Sequence, residues 1–262
     1  MYRPIKRFLD FLLSLLGVIV FAPVLIIVAI LVRTKLGRPI IFKQKRVGRY
    51  NKIFTLYKFR SMKVIYDEHG ELLPDEKRLT KFGIFLRRSS LDELPQLFNI
   101  LFGNMTIIGP RPKTIFETLL MKDTKFVYRA AIKPGLSSWS VIHGRNSMRN
   151  DQALTYDFEH IIRFSFILDT KIFFKTFGLV LRGSGINTEG HATFLHMSDF
   201  LITNGIMTPA EVSKIKQESL EIEASNIKYV PMGILKEEFK AKRRELKKWR
   251  KTYDANQPIS WN

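Results

Sequence analysis

Asp92 and Glu93 have the clearest capacity for chemistry in this 262-residue chain, because the two adjacent carboxylates close a run of opposite charge, Arg87-Arg88-Ser89-Ser90-Leu91-Asp92-Glu93. An ionised carboxylate can act as a nucleophile or bind a hard cation such as Mg2+, and guanidinium groups nearby favour the ionised form. The same residues have a plainer use: Ser90 followed by Glu93 has capping-box spacing, and Asp92 could itself cap a helix. Pro95 suits the first turn of a helix whose apolar positions are Leu94, Leu97, Phe98 and Leu101, which puts both acids at that helix's N-terminus.

Cations that could face a phosphate lie on either side. Alternation through residues 52–60 puts Phe54, Leu56, Lys58 and Arg60 on one strand face. Solvated strand charge is the ordinary explanation for such a pair. Arg111 stands between Pro110 and Pro112, on a stiff backbone that suits bidentate phosphate recognition.

Other chemistries lack their residues. The chain has no cysteine, which excludes thiol nucleophiles, disulfides, Cys-based zinc sites and iron–sulfur clusters. Its five histidines form no HExxH, and His191 and His196 lack further ligands at useful spacing. No GxGxxG, GxxxxGK[ST] or GxSxG occurs, so dinucleotide, P-loop and nucleophile-elbow readings have no support.

The elements that must position these groups can be sketched from pattern. Residues 40–43 and 52–60 read as two short strands around a basic turn at Gly48, forming a hairpin, and residues 63–80 read as a polar loop. Turns are marked by Lys133-Pro134-Gly135 and by Gly144-Arg145-Asn146, and residues 161–180 read as one or two helices. Thr208-Pro209-Ala210-Glu211 opens a helix running to about Ser219. Residues 234–251 form a very basic helix, for which a solvated face, an anionic membrane or a partner chain are all open; deletion of residues 234–262 is expected to leave turnover in detergent largely intact and to weaken partner or membrane association.

Residues 11–32 contain no charge and are long enough to reach across about one hydrocarbon core. Pro23 in the middle must kink or break the helix. Basic residues flank both ends, Arg3, Lys6 and Arg7 before and Arg33, Lys35 and Arg38 after. A straight span would place one cluster on the wrong side of the membrane, so a re-entrant helix–break–helix hairpin fits better than a kinked span. The formal charge of +19 is concentrated at the ends, with 13 Lys/Arg against one acid in residues 1–62. That distribution points to anionic lipid rather than to nucleic acid.

Taken together, KFRSM (residues 58–62), LRRSSLDELPQLFNILFGNM (86–105), GPRP (109–112), KPG with Trp139, GRN (144–146) and SFILDTKIFFKT (165–176) resemble, in order, the bacterial sugar transferases, the small monotopic phosphoglycosyl transferases. The resemblance covers about residues 6–194. It implies transfer of a sugar 1-phosphate from a UDP-sugar to a polyprenyl phosphate, expected to be undecaprenyl phosphate, with release of UMP. By that resemblance Asp92 is the nucleophile of a covalent phosphosugar intermediate. Glu93 assists at Mg2+ or in proton handling, both acids are candidate metal ligands, and Lys58, Arg87 and Arg111, with Arg60 beside them, surround the phosphates.

The expected fold is therefore α+β and predominantly helical, a monotopic membrane protein with a re-entrant hairpin (1–36) broken at Pro23, a cytosolic catalytic domain (37–194) and a helical basic C-terminal extension (195–262). It would sit on the cytoplasmic face of a bacterial inner membrane. Pairing as a homodimer is left open. Where the family commonly reads PGITGWAQVNGRN this chain has PGLSSWSVIHGRN, and Glu159-His160 replaces the usual tyrosines, departures expected to bear on substrate contacts. The stretch EGHAT (189–193) is similar to the tail of enzymes that use a diacetamido sugar, so an N-acetylated hexosamine or diacetamido sugar is the expected donor. The competing reading is a catalytically silent membrane-anchored scaffold of the same fold, against which the intact SLDELPQL and GPRP segments argue.

Overall fold

In the computed structural model, which describes residues 2–122, 124–144, 150–181 and 197–232 with Glu237, Glu238, Phe239, Ala241 and Glu245, the apolar run forms two helices. α1 (Tyr2–Val20) and α2 (Ala22–Lys35) meet at Phe21 with a bend of 62°. Pro23 lies in the first turn of α2, where a missing N–H is harmless. It has no N–H to donate to Ile19, so one continuous helix is disfavoured. Among the described residues no single helix is long and apolar enough to cross a membrane.

The two helices are packed on one side and bare on the other. Val28, Val32 and Leu36 of the α2 arm form a core with Phe59 and Leu86. Phe8, Phe11, Leu12, Leu16, Ile19, Ile26, Ile27 and Ile30 are exposed. The packed face of α1 carries its only acid: Asp10 is buried and accepts from Thr106 Oγ1 at 2.6 Å and from the Ile107 amide at 3.0 Å. Near the start of α1, Lys6 Nζ lies 2.9 Å from Asp169 and the Tyr2 hydroxyl donates to the same carboxylate at 2.6 Å.

β1 (Ile41–Val47) and β2 (Ile53–Phe59) form the expected antiparallel hairpin, with Ile41 opposite Phe59 and Val47 opposite Ile53. After the short α3 (Asp75–Arg78), α4 (Lys81–Arg88) starts at Thr80, whose hydroxyl accepts from the Gly83 amide. Gly83 has no alternative residue: an added Cβ would stand 1.8 Å from the Ser61 carbonyl oxygen. α4 therefore lies directly on the chain leaving β2. α5 (Gln96–Leu101) packs Leu97 and Ile100 against Phe54 and Leu56 of β2. Asn99 fixes its register by donating to the Thr55 carbonyl at 2.7 Å and accepting from the Tyr57 amide at 3.0 Å, much as a third strand would. At the other end Arg7 of α1 donates to the Ile100 and Leu101 carbonyls, at 2.7 and 2.8 Å, and caps α5.

β3 (Thr106–Ile108) and β4 (Gly135–Ser137) make a short parallel pair, with α6 (Ile115–Leu120) between them in sequence, opened by a Thr114–Glu117 capping box. α7 (Val141–Gly144), α8 (Asn150–Arg163) and α9 (Phe166–Leu181) follow, so the helical run expected at 161–180 straddles a break. α10 (Met197–Thr203) and α11 (Pro209–Ala224) lie in the expected extension, and the Thr208–Glu211 capping box that opens α11 is present. The described part of that extension is built into the core. Met197, Leu201 and Val212 join Leu120, Phe126, Leu154 and Phe158 in one cluster, and Ile222, Val230 and Met232 join Ile115 and Leu119 in another. Phe239 is buried against Tyr50 and Tyr128, so the basic 234–251 segment is not simply a solvated helix; most of it lies outside the described residues.

Candidate active site

The run Leu91–Glu93 is a single 3-10 turn joining α4 to α5. Ser90 enters it with φ of 57° and makes no capping hydrogen bond, so the capping-box explanation of Ser90 and Glu93 does not hold. Glu93 reaches across to other elements instead. Lys58 Nζ of β2 and Arg111 Nη2 both converge on Glu93 Oε1, at 2.7 and 2.9 Å. Burial works to raise the pKa of Glu93, but the Lys58 and Arg111 charges and their hydrogen bonds outweigh it and hold the carboxyl well below the usual range.

Asp92 is the opposite case. Its side chain is buried and, among the described residues, accepts no hydrogen bond. Burial, followed by the charge of Glu93, pushes it up to about 6 against the pull of Lys58, Arg87 and Arg111. At neutral pH it is still mostly ionised, held so by those cations. α5, at six residues, is too short to supply that charge balance through its dipole.

Lys58, Arg87, Asp92, Glu93 and Arg111 are thus gathered from β2, α4, the 3-10 turn and the 109–112 loop. Arg87 is aimed by a hydrogen bond from its Nε to Ser61 Oγ at 3.0 Å, an anchor with no signal in the sequence. Arg60 is not brought to the site. The residue is 6% exposed, and its guanidinium donates to the Arg38 carbonyl at 2.6 Å and to the Leu36 carbonyl, where it closes the chain leaving α2. β2 ends at Phe59, so the alternation that put Arg60 beside Lys58 stops one residue early.

Several departures from the family pattern turn inward. Ser138 and Ser140 are buried, their hydroxyls 2.7 Å apart, and Ser140 donates to Asp157 at 3.0 Å. Trp139 Nε1 donates to Glu159 at 3.0 Å, His160 Nε2 lies 2.8 Å from Asp169, and His143 stacks on Tyr156 at 4.5 Å. These residues join the 138–144 segment, α8 and α9 to one another. Arg145, Asn146, residues 189–193, His191 and His196 lie outside the described residues.

Among the described residues no three His, Cys, Asp or Glu side chains are grouped to cage a metal. The Asp92 carboxylate and Glu93 Oε2, neither of which accepts a hydrogen bond among the described residues, are oxygen donors of the type that Mg2+ takes, an ion commonly held by one or two carboxylates and completed by water and substrate phosphate.

Among the described residues Asp92 is thus a buried carboxylate that accepts no hydrogen bond, beside a second acid held by a lysine and an arginine, and cations so grouped are of the kind that suit a phosphate ligand. A family model described as bacterial sugar transferase matches residues 1–183, and the chain belongs to that family. It is 39% identical over 189 residues to the uncharacterized sugar transferase EpsL of Bacillus subtilis, a match covering 72% of this chain and 93% of that protein. It is 37% identical over 191 residues to the UDP-N-acetylgalactosamine-undecaprenyl-phosphate N-acetylgalactosaminephosphotransferase of Aeromonas hydrophila, covering 70% and 45%. It is 36% identical over 183 residues to the UDP-glucose:undecaprenyl-phosphate glucose-1-phosphate transferase of Escherichia coli, covering 66% and 39%. The chain therefore spans nearly all of the Bacillus relative and under half the length of the other two.

Proposed function

We propose that this protein is a phosphoglycosyl transferase that moves a sugar 1-phosphate from a UDP-sugar to undecaprenyl phosphate and releases UMP, the first membrane step of a bacterial glycan assembly. The observation that carries the reading is the Asp92–Glu93 asymmetry: a buried carboxylate that accepts no hydrogen bond among the described residues, next to a carboxylate gripped by Lys58 and Arg111. The activities for which the Aeromonas and Escherichia relatives are named support the same reaction class.

In this mechanism an Asp92 oxygen attacks the sugar-bearing phosphorus of the donor. The bond from that phosphorus to the bridging oxygen breaks, UMP departs, and an aspartyl phosphosugar remains. An oxygen of undecaprenyl phosphate then attacks the same phosphorus, which frees the Asp92 carboxylate and forms the diphosphate-linked lipid. Lys58, Arg87 and Arg111 hold the donor's phosphate oxygens and offset the charge that gathers during attack. Asp92 and Glu93 Oε2 would hold Mg2+, which supplies Lewis-acid neutralisation of the diphosphate when bound. An N-acetylated hexosamine or diacetamido donor is supported by residues 189–193 and by the name of the Aeromonas relative.

The bent α1–α2 pair is read as a re-entrant hairpin in the cytoplasmic leaflet of the inner membrane, with the catalytic domain on the cytoplasmic face. Both ends of the pair are tied to the same domain, Tyr2 and Lys6 to Asp169 and the Leu36 and Arg38 carbonyls to Arg60. Such a tie supports two ends on one side of the bilayer, and the bare apolar face supports insertion.

The test is Mg2+-dependent UMP release from a panel of UDP-sugars with undecaprenyl phosphate, comparing the wild-type protein with Asp92→Asn. Release that vanishes in the variant is expected, and the active donor names the sugar. No release from any donor by folded, membrane-inserted protein would favour the silent scaffold.

A further inference from the structure

Arg111 is carried by a loop whose backbone is pinned at four successive carbonyls. The Pro110 oxygen accepts from the Gly135 amide at 2.9 Å, the Arg111 oxygen from Arg129 Nη2 at 2.6 Å, the Pro112 oxygen from Arg46 Nη1 at 3.2 Å, and the Lys113 oxygen from the Val47 amide at 2.9 Å. Prolines at 110 and 112 remove two backbone donors and leave carbonyls as the handles by which the loop can be held.

The second of these bonds falls on Arg111 itself, and its donor is buried. Arg129 is 8% exposed, and the same Nη2 also donates to Asp157, which is 2% exposed. Asp157 in turn accepts from Ser140 Oγ at 3.0 Å, Ser140 meets Ser138 at 2.7 Å, and Ser138 accepts from the Val141 amide at 3.1 Å. A chain of hydrogen bonds therefore runs from α8 and the turn after β4 to the backbone of the catalytic arginine. The side chain of Arg111, by contrast, is 45% exposed, and its partner among the described residues is Glu93.

We propose that Arg129, braced by Asp157 and Ser140, is a positioning residue for the transfer reaction proposed above. It fixes the Arg111 backbone so that the guanidinium is presented to Glu93 and to the donor diphosphate without a search through loop conformations. Arg129 itself touches no substrate. A long arginine on a mobile backbone would have to order both backbone and side chain at the moment of binding, and a shift of about 1 Å at a reacting group can cost about a hundredfold in rate. The sequence departures at Ser138 and Ser140 acquire a use here, since their hydroxyls complete the brace around Asp157.

The alternative is a core ion pair that only holds α8 against the 125–131 segment, and a double-mutant cycle separates the two. Full-length protein carrying Arg129→Lys, Arg111→Ala or both is assayed for UMP release, with thermal melting of each. Arg129→Lys keeps the positive charge opposite Asp157 but replaces the planar guanidinium, whose Nη2 reaches both acceptors, with a shorter side chain that ends in an ammonium. We expect it to lower kcat/KM for the donor about tenfold or more, and to lower it less than about twofold when Arg111 is already alanine. Losses of equal size in both backgrounds would overturn the proposal, as would no loss in either. Ser140→Ala is expected to give a smaller loss with the same dependence on Arg111.

A second measurement needs no turnover. In protein with isotope-labelled arginine, the Arg111 side-chain resonance, assigned by its absence in Arg111→Ala, should report restricted rotation against Glu93 and lose that restriction in Arg129→Lys. An unchanged Arg111 resonance overturns the proposal even if the protein releases UMP. Absence of UMP release from every donor, with the resonance changed as expected, would instead count against the transferase reading alone.

Discussion

Asp92 and Glu93 are neighbours in one 3-10 turn and sit at opposite ends of the carboxylate range: Asp92 is pushed up to about 6 by burial and by Glu93, while Glu93 is held low by Lys58 and Arg111. The fold therefore keeps a charge at Asp92 that burial disfavours. Because its pKa is raised above the unfolded value of 3.8, Asp92 favours the fold when protonated, and that contribution is lost as pH rises through about 6. Asp92→Asn should abolish UMP release and raise the melting temperature at pH 7 by a few degrees, on the order of 1–3 kcal/mol. An inactive variant that melts lower would contradict this account of the site.

The pH dependence of turnover follows from the same pair. Asp92 must be ionised to attack, so kcat/KM should fall as pH drops through about 6. Glu93→Gln removes one of the charges that raise Asp92 and releases Lys58 and Arg111 to act on it. The acid limb of the residual activity should move to lower pH, and a limb that stayed in place would show that another group titrates.

Arg60 and Arg111 should fail in different ways. Arg111→Lys replaces the guanidinium whose Nη2 meets Glu93 and is expected to reduce kcat/KM about tenfold or more with little change in melting. Arg60→Ala leaves the Leu36 and Arg38 carbonyls without their donor, at a cost of about 2–4 kcal/mol. The folded fraction should retain its donor KM. A raised KM with unchanged melting would return Arg60 to the phosphate site.

Pro23→Leu restores an N–H at the break and favours a straighter apolar helix. The chain has no cysteine, so a single cysteine replacing Met1 can be labelled without background. In intact spheroplasts an impermeant maleimide should leave this cysteine unlabelled in the parent and gain access in a fraction of the Pro23→Leu protein. Labelling of the parent itself would contradict the re-entrant reading.

Truncation separates the two halves of the basic C-terminal segment. Removal of residues 246–262 should leave melting and turnover unchanged. Phe239→Ala empties a buried site between Tyr50 and Tyr128 and should cost about 3–5 kcal/mol. An unchanged melting temperature would mean that the 237–239 turn does not dock in solution.

The sequence by itself determined the local parts. Pro23 fixed where the apolar run breaks, alternation laid Phe54, Leu56 and Lys58 on one face of β2, and Thr208-Pro209-Ala210-Glu211 opened α11, because each depends on backbone geometry within a few residues. The order of motifs also placed Asp92, Glu93, Lys58, Arg87 and Arg111 in one family pattern. Only the tertiary structure decided what each polar group does. Glu93 lay at capping distance from Ser90 in sequence, yet Lys58 and Arg111, 35 and 18 residues away, took it. Arg60 shared Lys58's parity but left the strand to bind the carbonyls after α2. Ser138, Ser140, Glu159 and His160 stood out in the sequence only as departures from the family pattern, and the fold buries them with partners of their own. A buried hydrogen bond is chosen by which donor and acceptor the packed core brings within 3 Å, and local spacing carries no record of partners that arrive from another element.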